Sequence, residues 1–193
     1  MPGPPFIEGD RIDLRTVERE DIPFLQRWVN HPEVRRYIST FRTPYSQEEY
    51  EEEIFDPYDT NEDGATVLLC HHEWDGDDLG GPDDGPTAVG SAQLYPIREG
   101  AGWANLAYWV APPAQGNGYA TEAAELLVEY AFDELGLHRV TAQALEPNEA
   151  SCRVLERVGF THEGTQRECD IVDGSYVGQR LYGLLREEWN EGT

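Results

Sequence analysis

The sequence predicts a mixed α/β fold in which a sheet of about six to seven strands carries helices on both faces. Three observations lead there. Short runs rich in Val, Ile, Thr and aromatic residues recur along the chain, each bounded by Gly, Pro, Asp or Asn. Between them lie stretches whose apolar residues return at helical spacing. One segment, Val110 to Phe132, joins both kinds: a strand end, a glycine-rich turn and an amphipathic helix.

Taken in order, Arg11 to Thr16 alternates apolar and polar residues and predicts a strand. Glu18 to Asn30 predicts a helix with Ile22, Phe24, Leu25, Trp28 and Val29 inward. Asn30-His31-Pro32 breaks it, and a short helix through Val34 and Tyr37 follows. Ser46-Gln47-Glu48-Glu49 reads as a capping start to an acidic helix. Thr66 to His72 and Thr87 to Tyr95 predict two more strands. The acidic stretch between them, residues 73–86, reads as a hydrated hairpin loop inserted in a single domain spanning 1–193. It fails as an EF-hand for want of alternating oxygen ligands and a closing Glu. His71 and His72 are adjacent and face opposite ways on a strand, so no metal site is assigned.

Trp103 to Val110 predicts a fourth strand, stopped by Pro112 and Pro113, which lack an amide proton. The turn Gln115-Gly116-Asn117-Gly118 then leads to a helix with Ala120, Ala123, Ala124, Leu127, Val128, Ala131 and Phe132 on one face, and Gly136 closes it. The helix's first amides have no intrahelical partner and point back into the turn, an arrangement that binds phosphate. Arg139 to Leu145 predicts a fifth strand. Asn148 is a good N-cap for a helix from Glu149 to Val158 that ends at Gly159. Phe160 to Arg167 and Ser175 to Leu184 complete the sheet, joined around Asp173-Gly174.

Composition narrows the function. Asp and Glu total 38 against 14 basic residues, a formal net charge of -24, and every basic residue is Arg. Such a surface suits high salt, with attraction of cationic substrates as a sharper alternative. Nucleic acid is excluded as a partner because phosphate backbones need basic patches. With no lysine there is no P-loop, and Thr121 stands where a dinucleotide fingerprint needs its third glycine. No run approaches the length of a membrane span. The opening MPGPPFIEGD lacks the regions of a signal peptide, and Cys70, Cys152 and Cys169 lack metal or disulfide spacing. A cytoplasmic protein with reduced thiols is expected, monomer or homodimer.

Gln115-x-x-Gly118-x-Ala120 resembles the acetyl-CoA pyrophosphate loop of the GNAT superfamily of N-acetyltransferases. Asn148-x-x-Ser151 followed by Val154-Leu155-Glu156-Arg157-Val158-Gly159-Phe160 resembles that superfamily's second conserved helix. Gly9-Asp10-Arg11-Ile12-Asp13-Leu14-Arg15, Asn30 to Tyr37, and Leu181 to Trp189 resemble the branch that acetylates ribosomal-protein N-termini, the RimJ/RimL type. The resemblance covers nearly the whole chain, in order. It implies a mostly antiparallel sheet splayed at its centre, acetyl-CoA as co-substrate, no metal, and an amine acceptor, either a protein N-terminus or a small molecule. A non-catalytic acyl-CoA-binding module is the alternative.

The resemblance also implies site residues. Gln115, Gly116, Asn117, Gly118, Tyr119, Ala120 and Thr121 would hold the pyrophosphate. Trp109, Val110 and Ala111 would contact the pantetheine arm, and a main-chain amide near Val110 would polarise the thioester carbonyl. Asn148 caps a helix and would also contact pantetheine; Arg153 reaches the nucleotide end or forms a surface salt bridge. Many members place a tyrosine seven residues after the motif asparagine, where this chain has Leu155. Ser151, in the first helical turn, is therefore the expected donor to the departing sulfur, unless it only satisfies first-turn amides. Tyr182 is a second possible donor. Asn105 stands where the branch often has a glutamate base, and Gly178 where an Asp is common. Water or a backbone carbonyl could serve in place of that base; Glu73 is either a substitute carboxylate or a solvated residue beside the acidic insert. Tyr37, Phe41 and Tyr45 are either acceptor-cleft lining or core. No acyl-enzyme on Cys152 is expected, for want of a histidine at nucleophile spacing.

Overall fold

The computed structural model describes residues 2–38, 42–55, 64–76, 79–80 and 85–192, without the side chains of Phe55 and residues 190–192. Its strands are β1 Pro5–Ile7, β2 Ile12–Thr16, β3 Ala65–His71, β4 Thr87–Arg98, β5 Trp103–Val110, β6 Arg139–Leu145, β7 Thr161–Val172 and β8 Ser175–Leu185. Its helices are α1 Ile22–Val29, α2 Pro32–Arg35, α3 Gln47–Tyr50, α4 Tyr119–Glu129, α5 Glu149–Val158 and α6 Arg186–Gly192. The strands form one sheet of eight in the order β1-β2-β3-β4-β5-β6-β8-β7. All its pairings are antiparallel except β5 with β6.

That parallel pair organises the molecule. β5 and β6 are in register only from Trp103↔Arg139 to Leu106↔Ala142. Beyond Leu106, β5 stays paired with β4, from Gln93↔Ala107 to Gly90↔Val110, while β6 stays paired with β8. The sheet therefore opens between the C-terminal halves of its two central strands, the splay expected from the resemblance. Main-chain groups of residues 107–110 on the β6 side have no strand partner among the described residues, and backbone left unpaired in a sheet calls for a ligand or water.

Local sequence accounts for the elements that frame this opening. Ser46 accepts from Glu49 N while the Glu49 carboxylate accepts from Ser46 N, so α3 begins with a capping box. α5 runs over the predicted residues, begins at the Asn148 cap and stops at Gly159, whose φ is 108°. Asp173 and Gly174, at φ 50° and 80°, make the tight hairpin between β7 and β8. α4 packs on β2, β4 and β5 through Ala123, Ala124, Leu127 and Val128, all fully buried, and the small alanines let it lie close.

Several features differ from expectation, among them β1, which was not expected, and β7, which runs to Val172 and not only to Arg167. β4 runs on to Arg98 because Pro96 sits in the register shift between Leu94 and Ile97, where no ladder amide is needed. Within the stretch expected to be a hydrated loop, Leu79 is buried and its carbonyl accepts from the Trp28 indole at 2.9 Å. No helix among the described residues is long and apolar enough to cross a membrane.

Candidate functional site

Two cavities meet at the opening in the sheet. A groove of about 850 Å³ runs along the turn Gln115 to Thr121, β5 and α5. A chamber of about 560 Å³ lies on the other side, between β4, β5 and β6. Both are lined by Tyr37, Ile38, Tyr108, Trp109, Asn148 and Ser151, so these residues mark their junction.

The turn is arranged so that its carbonyls are taken up from behind. The Gln115 side chain donates to Val110 O at 2.9 Å, and Asn117 Nδ2 donates to Ala114 O at 3.1 Å. Arg11 Nη1 donates to Asn117 O at 2.6 Å. Ala111 O and Pro112 O accept from the amides of Ala114 and Gln115. The amides of Gly116, Asn117, Gly118, Tyr119 and Ala120 make no protein hydrogen bond among the described residues. Gly116 and Gly118 have φ 80° and 85°, a conformation only glycine adopts freely, and it brings successive amides to one side. Unmatched N–H groups at the start of α4 make a local site of positive potential, chemically suited to a diphosphate. The groove adds Arg36, Arg153 and Arg157 against Glu33 and Glu156. Arg36 is paired with Asp173 and Arg153 with Glu149.

The other predicted residues are placed unequally. Trp109 and Val110 line the groove, and the Trp109 ring stacks on Phe24 at 5.9 Å. Ala111 is fully buried, donates its amide to Val89 O at 2.8 Å and lines neither cavity. Asn117 acts from behind the turn and does not line the groove, whereas Gln115, Tyr119, Ala120 and Thr121 do. Arg153 is both things expected of it, a groove residue and the partner of Glu149 at 3.2 Å.

Asn148 accepts from Ser151 N at 3.2 Å, so the cap is made by the asparagine and the serine hydroxyl is left for another partner. That partner is Tyr108, whose Oη lies 3.0 Å from Ser151 Oγ. Asn148 lines both cavities, and its Nδ2 has no protein partner among the described residues. Burial raises the pKa of Tyr108 further than its hydrogen bond to Ser151 lowers it, so the phenol keeps its proton at neutral pH. Sequence reasoning missed Tyr108 as a partner. It lies 43 residues before Ser151, and only the meeting of β5 with the start of α5 joins them.

Tyr182 lines neither cavity; it is buried, donates to Glu156 at 3.1 Å, and burial is the main cause of its raised pKa. Leu155 lines the chamber. Glu73 is exposed and lines neither cavity. Asn105 lines the chamber, and its Oδ1 accepts from Thr141 at 3.4 Å. At Gly178 a Cβ would fall 2.3 Å from Glu146 Oε2, which accepts from Gly178 N at 2.8 Å, so a carboxylate from the β6–α5 connection occupies that space. Tyr37 lines both cavities, Tyr45 packs on Tyr50, and Phe41 lies outside the described residues. No described residue lining the chamber is charged at neutral pH. Among the described residues no cluster of His, Cys, Asp and Glu could hold a metal ion.

Residues 11–161 match the family described as "Acetyltransferase (GNAT) domain". Over 183 residues the chain is 29% identical to YdaF of Bacillus subtilis, named as a candidate ribosomal N-acetyltransferase, covering 94% of each chain. It is 28% identical over 165 residues to the spermidine N(1)-acetyltransferase of Escherichia coli, covering 86% of this chain and 81% of that one. In structure it resembles the spermidine N-acetyltransferase of Vibrio cholerae, solved with CoA and spermine. The TM-score is 0.79 with 22% identity over 93% of this chain and 98% of the other, a likeness of fold.

Proposed function

The chain belongs to the GNAT acetyltransferase family and is an acetyl-CoA-dependent N-acetyltransferase, and from that premise we propose that it acetylates the free N-terminal amine of a polypeptide by direct transfer. The observation that carries the transfer step is the Tyr108–Ser151 pair at the junction of groove and chamber. The amides of the turn fit the coenzyme's diphosphate, and β5 beyond Leu106 offers unpaired backbone to its pantetheine arm. When bound, the coenzyme supplies the acetyl thioester. Trp109, Val110 and Asn148 Nδ2 orient the arm, and Tyr37 with Ile38 closes the junction.

The acceptor nitrogen forms its bond to the thioester carbonyl carbon as the carbon–sulfur bond breaks. The Tyr108 hydroxyl lies 3.0 Å from Ser151 Oγ and 3.3 Å from Ser151 O; when it donates to Oγ, the serine proton is free to pass to the sulfur, and Tyr108 restores it. The nitrogen gives its proton to water, from which Tyr108 recovers its own, so the exchange balances. Both hydroxyls stay protonated at neutral pH and act as acids, and no described chamber residue acts as a base.

The described residues of the chamber wall support this choice of acceptor. Gln93, Asn105 and Gln143 offer neutral donors and acceptors suited to peptide groups. A polyamine would bring further ammonium groups to a wall with no described carboxylate to pair them. The test is turnover of a panel of short unblocked peptides and spermidine in molar salt. Peptides with an uncharged first residue are expected to exceed spermidine in kcat/KM by about tenfold or more, the worth of one unmet charge. Faster transfer to spermidine would overturn the peptide assignment. The acidic surface we take as adaptation to salt.

A pH series provides a second check. An α-amine has a reference pKa of about 8, so kcat/KM for a peptide should rise about tenfold per unit below that value and level off above it. The midpoint should move with the acceptor when an amine of lower pKa is used. A midpoint that ignores the acceptor would place a base on the protein.

A further inference from the structure

Arg11, just before β2, is 106 residues from the carbonyl it holds in the turn, and nothing in the sequence pattern ties the two together. We propose that Arg11 is a positioning residue for acetyl-CoA, holding the turn's amides toward the diphosphate and neutralising the carboxylate beneath it. This rests on the reading of the turn as the diphosphate site.

The geometry gives two reasons. In a trans peptide the C=O and the following N–H point opposite ways. Arg11 Nη1 holds Asn117 O at 2.6 Å, which turns Gly118 N–H away from the guanidinium. Arg11 does not line the groove and Gly118 does, so that amide is directed to the groove side. The second reason is charge. Glu122 lies in the first turn of α4, where its carboxylate would repel a bound anion. Arg11 Nε holds Glu122 Oε2 at 2.9 Å, while Glu122 Oε1 accepts from Arg11 N at 2.8 Å and Ile12 N at 3.2 Å. The Glu122 side chain is 12% exposed with both oxygens engaged, whereas the Arg11 side chain is 49% exposed. One planar fork therefore does both jobs, which a lysine ammonium cannot reproduce.

The test compares acetyl-CoA with acetyl-pantetheine, which has the thioester and lacks the diphosphate. In Arg11→Met, kcat/KM for acetyl-CoA is expected to fall about tenfold or more through KM, the worth of one hydrogen bond to a charged group. The same variant should use acetyl-pantetheine within about twofold of the parent, and Arg11→Lys should recover only a minor part of the loss. Equal losses with both donors would reduce Arg11 to a structural clamp and overturn the proposal, as would no loss with either. Full recovery in Arg11→Lys would overturn the bridging role. A parent enzyme that uses both donors equally well would overturn the diphosphate assignment of the turn itself, and this inference with it.

Discussion

Gly118→Glu is expected to abolish acetyl-CoA binding, raising Kd at least about 100-fold, because three effects add. Gly118 is at φ 85°, where any other residue costs about 1–2 kcal/mol. Its Cβ would approach Arg11 Nη2 at 3.1 Å, and the new carboxylate would compete with Asn117 O and Glu122 for that guanidinium. The introduced charge would also lie beside the amides that face the groove. Titration calorimetry against acetyl-CoA measures the loss, and Gly118→Ala separates strain from charge. The alanine variant should bind several-fold more weakly than the parent and well above the glutamate variant. Retained affinity in Gly118→Glu, with the variant still folded by circular dichroism, would remove the turn from the site.

The second large effect concerns proton delivery. Tyr108→Phe keeps the ring and deletes the hydroxyl; Ser151→Ala deletes its partner. Each is expected to lower kcat about 100-fold, the lower range for general acid catalysis, while Kd for acetyl-CoA stays within about twofold. If the hydroxyls act in series, the double variant should be no slower than the slower single one. Multiplying losses in the double variant would mean that the two groups act separately, and unchanged kcat in either single variant would remove that residue from the step. Burial pushes the Tyr108 phenol above its ordinary range, so it should not contribute a fall in rate as pH passes through neutrality.

Much of this architecture can be read from the chain, for identifiable reasons. The turn and α4 are legible because proline, glycine and alanine each impose a backbone requirement in succession. α5 is legible to the residue because Asn148 caps one end and Gly159 the other. β1 is not, because its three residues begin on the second of two prolines and carry no alternation, and β4 is underestimated because Pro96 reads as a stop. Three tertiary pairs around the candidate site are hidden for another reason. Tyr108 with Ser151, Arg11 with Asn117, and Glu146 with Gly178 are contacts between distant segments, and no local spacing encodes them. Ser151 itself was ambiguous in sequence between cap and donor; the Asn148 cap leaves its hydroxyl free for Tyr108.

The manner in which the turn gathers its carbonyls to the rear bears on where such a protein can work. In brine of about 1 M the Debye length shrinks to about 3 Å, so attraction felt from afar disappears and ions in solution compete for any mobile ammonium. Peptide dipoles fixed in place act only at touching distance and lose little in that medium. The same brine mutes the repulsion between a polyanionic ligand and a surface of charge -24. Capture of an anion by rigid main chain, the role proposed for the turn, would thus suit a concentrated electrolyte better than a cluster of flexible cations.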